Sequence, residues 1–88
     1  MKVTFGYFAQ IRQKAGVETE AVDVPDGATA VEALKAVEHG EEFRELLFEE
    51  NGVLRSTILF MVNGAPVAPD HALHEGDQVQ VFSPVAGG

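Results

Sequence analysis

The sequence predicts an α+β domain in which a mixed β-sheet packs against one main helix. Segments near both ends of the chain alternate between apolar and polar residues, which is typical of half-buried strands. Between them, apolar residues recur at helical spacing after a helix-start signal. The length of 88 residues leaves room for one domain with one hydrophobic core.

The first third of the chain predicts two strands joined by a short helix. Lys2–Phe8 and Glu18–Val24 alternate with a period of two, as strands with one buried face do. Ala9–Ala15 has a helical composition and is followed by Gly16, a residue that favours helix ends. We therefore expect the two strands to pair as a hairpin with a long connection.

The middle of the chain predicts the main helix and a shorter second one. Thr29 and Glu32 have the spacing of a capping box, in which each side chain accepts from the other residue's backbone N–H. The helix should end at Gly40 in a left-handed conformation. Its apolar stripe consists of Val31, Leu34 and Val37. In the second helix, Phe43, Leu46 and Leu47 should face the core before Asn51–Gly52 ends it.

The last third predicts three more strands. The apolar run Ile58–Val62 leads into Asn63–Gly64, a strong hairpin signal, and Pro66–Val67 should return as a brief edge strand. Gln78–Phe82 alternates again. The order strand, strand, helix, strand, short strand, strand predicts a ubiquitin-like β-grasp fold over residues 1–82. Residues 83–88, which we call the tail, show no pattern and are expected to extend from the domain.

Composition restricts the possible functions. With 14 acidic and 6 basic residues, the chain has a formal net charge of −8, which disfavours nucleic-acid binding and suits a basic surface on a protein partner. Cysteine is absent, which excludes a disulfide framework, a thiolate zinc site and a catalytic thiol. No segment is apolar for long enough to span a membrane, and Met1–Phe5 leads directly into a strand pattern. We expect a cytoplasmic protein that binds no membrane.

The tail ends in Gly87–Gly88, and its composition suits insertion into another protein. Two glycines at a fixed place arise by chance roughly once in 200 sequences, so the neighbouring residues must decide whether the pair has a function. Six residues can span about 20 Å, and Pro84 stiffens the base of the tail. Glycine lacks a Cβ atom and fits a narrow channel. We expect the reacting group to be the Gly88 carboxylate, and the channel to enclose Pro84, Val85, Ala86 and Gly87.

Apolar residues also occur where the strand pattern predicts solvent. Alternation places Phe8 and Phe82 on the sheet face away from the helix, and the first and last strands of this fold are neighbours. The run Ile58–Val62 is apolar on both faces, so Leu59 and Met61, or their alternates in this run, extend the same surface. Scattered exposed apolar residues are ordinary, but here three segments converge near the root of the tail. We therefore predict that Phe8, Leu59, Met61 and Phe82 form a partner-binding surface, called the docking surface below.

The remaining polar clusters have simpler interpretations. Asp70, His71, His74 and Asp77 fall in a predicted loop and turn, so we expect solvated residues rather than a metal site. His39 lies near the predicted end of the main helix, where a histidine is favoured by the helix dipole. Glu38–Glu50 carries six acids against Arg44 alone. That segment is either a solvated helix face or a means of steering toward a basic partner.

Several segments resemble one protein family. Phe5–Arg12 resembles the Phe-Ala-x-Leu/Val-Arg opening of the MoaD/ThiS family of ubiquitin-like sulfur carriers. Val62–Gly64, Asp70–Asp77 and Val81–Gly88 match the family in the same order and cover much of the chain. The ending is closest to the MoaD branch, the small subunits of molybdopterin synthase, which typically end in Phe-x-Pro-Pro-Val-x-Gly-Gly.

The resemblance implies a specific chemistry. An ATP-using adenylating enzyme of the MoeB, ThiF or E1-like kind would adenylate Gly88, and a sulfur donor would then displace AMP to leave a thiocarboxylate. That sulfur would attack the pterin precursor in the large (MoaE-like) subunit of molybdopterin synthase, during molybdenum cofactor biosynthesis. The carrier would bind no cofactor and supply no catalytic side chain.

Three alternatives remain open at this point. The chain could carry sulfur for thiamine, for tRNA thiolation or for cysteine synthesis, because the tail is common to these pathways. It could instead be a ubiquitin-like modifier joined to lysines through Gly88. A plain interaction module with a chance Gly-Gly ending is the third alternative.

Overall fold

The computed structural model describes residues 1–83, and five strands within them form one mixed sheet. The strands are β1 (Lys2–Tyr7), β2 (Thr19–Asp23), β3 (Leu59–Val62), β4 (Ala65–Val67) and β5 (Gln78–Phe82). Their order is β2-β1-β5-β3-β4; β1 and β5 are parallel, and the other pairs are antiparallel. The predicted β-grasp arrangement, with the first and last strands adjacent at the centre, is confirmed.

Three short helices share the layer that covers the inner face of this sheet. They are α1 (Ala9–Ala15), α2 (Ala30–Lys35) and α3 (Glu41–Leu47). The core lies between helices and sheet. Its largest fully buried side chains are Tyr7, Phe5, Phe43, Phe60, Leu34, Leu47, Val3, Val79 and Val81. Burial of these apolar surfaces is the main force that holds the two layers together.

The start of α2 forms as the capping box predicts. The Glu32 N–H donates to Thr29 Oγ1 at 3.3 Å, and the Thr29 N–H donates to Glu32 Oε1 at 2.9 Å. The Ala30 N–H also donates to the His71 carbonyl at 2.9 Å. The first turn is therefore satisfied both locally and by the loop before β5.

The end of α2 differs from the prediction. The helix stops at Lys35, and the N–H groups of Ala36 and Val37 reach only three residues back. Such bonds tighten the last turn and release the chain early. Gly40, with φ of 93°, lies immediately before α3 instead of ending α2. Val37 lies beyond the end of the helix but is still buried.

The end of α3 also comes earlier than Asn51–Gly52. Phe48 adopts an extended backbone (φ −126°, ψ 149°) and forms a bridge with Leu54. Its ring is buried, and this burial favours the extended backbone over a further helical residue. Sequence periodicity does not report this kind of tertiary competition.

The hairpin between β3 and β4 is confirmed. Asn63 and Gly64 have φ of 51° and 86°, the left-handed pair that a two-residue hairpin turn requires. The Asn63 side chain accepts from the Gln78 N–H at 3.0 Å. This bond ties the turn to the start of β5.

Candidate functional site

The docking surface is one continuous apolar area on the outer face of the sheet. The rings of Phe8 and Phe82 meet edge to face with centroids 6.1 Å apart, a favoured arrangement for aromatic pairs. Phe8 and Leu59 are 39% and 46% exposed, and Met61 and Phe82 are half-buried. The structure thus places all four predicted side chains on the same face, and in β3 it selects Leu59 and Met61 over their alternates.

The strand register explains why these residues meet. Leu59 pairs with Phe82, and Met61 pairs with Gln80, across the antiparallel β3–β5 ladder. Directly paired residues of neighbouring strands point to the same face. Phe8 follows the last residue of β1 with an extended backbone (φ −130°, ψ 149°), so it continues the outward position of the alternation.

The outer face is nearly free of charge although the chain is strongly acidic. The register assigns to this face only one cation and one anion within the strands, Lys2 and Asp23. They pair with each other at 3.9 Å at the end of β1 away from Phe8. An apolar area without like-charge repulsion is what a protein-binding surface needs.

The tail begins at this surface. Phe82 is the last residue of β5, and Ser83 follows it half-buried beside the docking surface. The predicted reactive residue Gly88 and the channel residues Pro84, Val85, Ala86 and Gly87 lie outside the described residues. A partner that covers Phe82 therefore contacts the residue directly before the tail.

Two features beside Phe8 were not predicted from the sequence. Ala9 has φ of 51°, an uncommon conformation for a residue with a Cβ atom. Arg12, one helical turn later, places its guanidinium carbon 6.0 Å from the Phe8 ring centroid. The four-residue spacing of Phe8 and Arg12 was a usable signal for their contact, whereas nothing in the sequence indicates the backbone of Ala9.

His39 serves a different purpose from the one predicted. It lies beyond the end of α2, and its Nε2 is 2.6 Å from Glu20 Oε2. The Tyr7 hydroxyl donates to the same carboxylate oxygen at 2.6 Å. Burial and the adjacent Glu20 carboxylate raise the Tyr7 pKa above its usual range, so the hydroxyl remains a donor. These contacts attach His39, in the segment between α2 and α3, to Glu20 of β2 and Tyr7 of β1.

Of the loop residues predicted to be solvated, Asp70, His71 and His74 are exposed, but the prediction is wrong for Asp77. Asp77 is buried and accepts from the His74 N–H at 2.8 Å and from Asn63 Nδ2 at 2.9 Å. Burial alone would raise the Asp77 pKa, but these hydrogen bonds and the nearby charges of His74 and His71 lower it overall. Over residues 1–83, no group of three or more histidine, aspartate or glutamate side chains could hold a metal ion.

The acidic segment lies apart from the docking surface. The side chains of Glu41, Glu42, Glu45, Glu49 and Glu50 are exposed, as the sequence predicts for a solvated face. Lys14 Nζ on α1 pairs with Glu42 at 3.2 Å. Among the helices described, none is long and apolar enough to cross a membrane.

Comparison with known proteins identifies the family. The model of the ThiS family matches residues 5–88. The molybdopterin synthase sulfur carrier subunit of Escherichia coli is 39% identical over 82 residues, covering 93% of this chain and 94% of that protein.

Solved structures agree with this assignment. The small archaeal modifier protein 1 of Haloferax volcanii superposes with a TM-score of 0.86 at 32% identity, covering 96% of this chain and 98% of that chain. A chain of the Amycolatopsis orientalis BexX/CysO complex gives a TM-score of 0.74 at 26% identity and covers 98% and 99% of the two chains. The chain therefore belongs to the ThiS family of ubiquitin-like sulfur carriers.

Proposed function

We propose that this chain is the sulfur-carrier subunit of a molybdopterin synthase. Its C-terminal Gly88 would be converted to a thiocarboxylate and donate that sulfur to the dithiolene of molybdopterin. The chain itself would supply no acid, base, metal ligand or bound cofactor. Catalytic groups would belong to its partners.

One structural observation carries the proposal. The docking surface ends at Phe82, directly before the tail, so a partner seated on it also receives the reacting terminus. The E. coli relative at 39% identity bears the name of a molybdopterin synthase sulfur carrier subunit, which favours this pathway over others.

The chemistry requires activation of Gly88. A carboxylate oxygen of Gly88 would attack the α-phosphorus of ATP in an adenylating enzyme, and pyrophosphate would leave. Sulfide released by a sulfur donor would then attack the acyl carbon, AMP would leave, and a thiocarboxylate would remain. Because the chain has no cysteine, no thiol of its own can intercept the activated acyl group.

The docking surface would serve the large subunit of the synthase. Phe8 and Phe82 would insert as a pair into an apolar pocket, with Leu59 and Met61 at its border. Aromatic anchors of this kind dominate the binding energy of many interfaces. Within the strands, the outer face carries only the paired charges of Lys2 and Asp23, which allows close approach of an apolar partner surface.

Deletion of Gly88 tests the proposal. The truncated protein should fold normally, because the deletion leaves intact the core described within residues 1–83, but it should not restore molybdopterin synthesis in a strain lacking its own carrier. Gly87→Ala should give the same loss through a methyl group in a narrow channel, with no change in stability. Restoration of the pathway by the Gly88 deletion would refute the carrier role.

A role as a protein modifier is the second candidate. It is favoured by the close superposition on the small archaeal modifier protein 1 of Haloferax volcanii. A modifier would form higher-mass conjugates in cells that disappear when Gly88 is deleted. Carriage of sulfur for cysteine, thiamine or tRNA would instead leave the chain unconjugated and would fail to load a molybdopterin synthase.

A further inference from the structure

From the geometry around Phe8 we infer that Arg12 is a specificity-determining residue of the docking surface. It would pair with a carboxylate that the protein partner places at the border of its apolar pocket. This inference rests on the proposed function, because it adds a charged contact to the same interface.

The Arg12 side chain is held in position by its neighbours. Its Nε–H donates to the Tyr7 carbonyl at 3.2 Å, and its guanidinium lies over the Phe8 ring at 6.0 Å. An arginine fixed through Nε still has four N–H groups on its two terminal nitrogens. A guanidinium edge held in this way is preorganised for a bidentate bond to a carboxylate.

No acidic side chain within residues 1–83 forms an ion pair with Arg12. The ion pairs found in residues 1–83 engage Lys2 and Lys14 but not Arg12. Its backbone carbonyl accepts the Gly16 N–H that closes α1, so the helix fixes the position of its Cα atom. On a chain with a net charge of −8, this is a positive charge at the border of an apolar area.

The backbone at Ala9 supports the same conclusion. A left-handed alanine costs free energy, and such residues persist where the surrounding structure requires them. Here it turns the chain between Phe8 and α1, so that the N–H groups of Ile11 and Arg12 both donate to the Phe8 carbonyl, at 3.1 and 3.3 Å. The turn thereby fixes an aromatic anchor and a cation side by side.

Charge complementarity selects the kind of partner. An apolar pocket alone would accept Phe8 and Phe82 in more than one orientation, whereas a carboxylate opposite Arg12 fixes a single register. A basic or uncharged pocket border would instead leave the guanidinium desolvated and unpaired. We expect the acceptor to be an aspartate or glutamate of the large subunit.

The test is a calorimetric titration of the full chain against the purified large subunit. Arg12→Gln should weaken binding about tenfold or more, and rising salt should reduce the difference from wild type. Arg44→Gln is the matched control: it removes the same charge from an exposed position on α3 and should stay within about twofold of wild type. Arg12→Lys, which keeps the charge but loses the fork, should lie between wild type and Arg12→Gln.

The outcomes separate this inference from the proposed function. If Phe82→Ala loses affinity while Arg12→Gln binds like Arg44→Gln, the Arg12 contact is refuted and the docking surface stands. Wild-type affinity for Arg12→Lys would refute the forked pairing. If the wild-type chain does not bind the large subunit at all, both proposals fail. Thermal unfolding of each variant ensures that affinities are compared per folded molecule.

Discussion

The two faces of the sheet are built by the same strands, but one is buried against the helices and the other is exposed. The inner face carries Val3, Phe5, Phe60, Val62, Val79 and Val81, all buried against the helices. The outer face carries the docking surface and a row of small or uncharged polar residues. A shift of one position along a strand therefore separates a residue that holds the fold from one that is available to a partner. Substitutions on the two faces should affect different measurements.

The largest effect on stability should come from the inner face. Phe60→Ala removes a ring that is 2% exposed and should lower the free energy of unfolding by about 3–5 kcal/mol. Affinity of the remaining folded protein for the large subunit should be almost unchanged. Chemical denaturation measures the first quantity and titration of the folded fraction the second.

The outer face should give the opposite pattern. Phe82→Ala should weaken binding to the large subunit by about 2 kcal/mol or more, because it removes one of two paired anchors. The free energy of unfolding should fall by only about 1 kcal/mol or less, since the ring is only half-buried in the isolated chain. A large loss of stability with unaltered affinity would mean that Phe82 belongs to the core.

A substitution at Asp77 tests the hydrogen bonds that this carboxylate accepts from His74 and Asn63. Asp77→Asn should cost about 1–2 kcal/mol at neutral pH, because it weakens the hydrogen bonds from His74 and Asn63. The folded-state pKa of Asp77 is lowered, so its contribution is fully present above the unfolded value of about 3.9 and is lost as pH falls through the folded value. Denaturation curves at several pH values should show the two proteins converging in acid.

The smallest effect on stability is expected at Ala9, which follows Phe8 at the start of α1. Ala9→Gly should change the free energy of unfolding by less than about 1 kcal/mol, because relief of the left-handed strain offsets the added chain entropy. Gln13→Gly is the control at an exposed helical position of the same helix, and it should cost about 1 kcal/mol. Equal losses in the two variants would show that Ala9 is not strained.

Periodicity predicted part of the division between the faces. The period of two assigned Phe8 and Phe82 to the outer side, and the strand order of the predicted fold made them neighbours. In Ile58–Val62, which is apolar on both faces, periodicity alone did not choose Leu59 and Met61 over their alternates. The capping box at Thr29 and the Asn63–Gly64 turn were equally readable, because each depends on residues close in sequence.

Features that depend on distant residues could not be predicted in this way. His39 and Glu20 are 19 positions apart and meet only because β2 and the link after α2 converge in the fold. Phe48 leaves α3 for a bridge to Leu54, and α2 stops well before Gly40, both through tertiary packing that overrides local helix signals. The left-handed Ala9 follows from the same kind of constraint.

Intact mass is the most direct test of the account, in which a folded domain carries sulfur on Gly88. The chain, with an untagged C-terminus, is incubated with its adenylating enzyme, ATP and a sulfur donor. Wild type should gain the mass of one oxygen-to-sulfur exchange, located at Gly88 by fragmentation. The Gly88 deletion should gain nothing. An unchanged wild-type mass, or an exchange that persists in the deletion, would contradict the account.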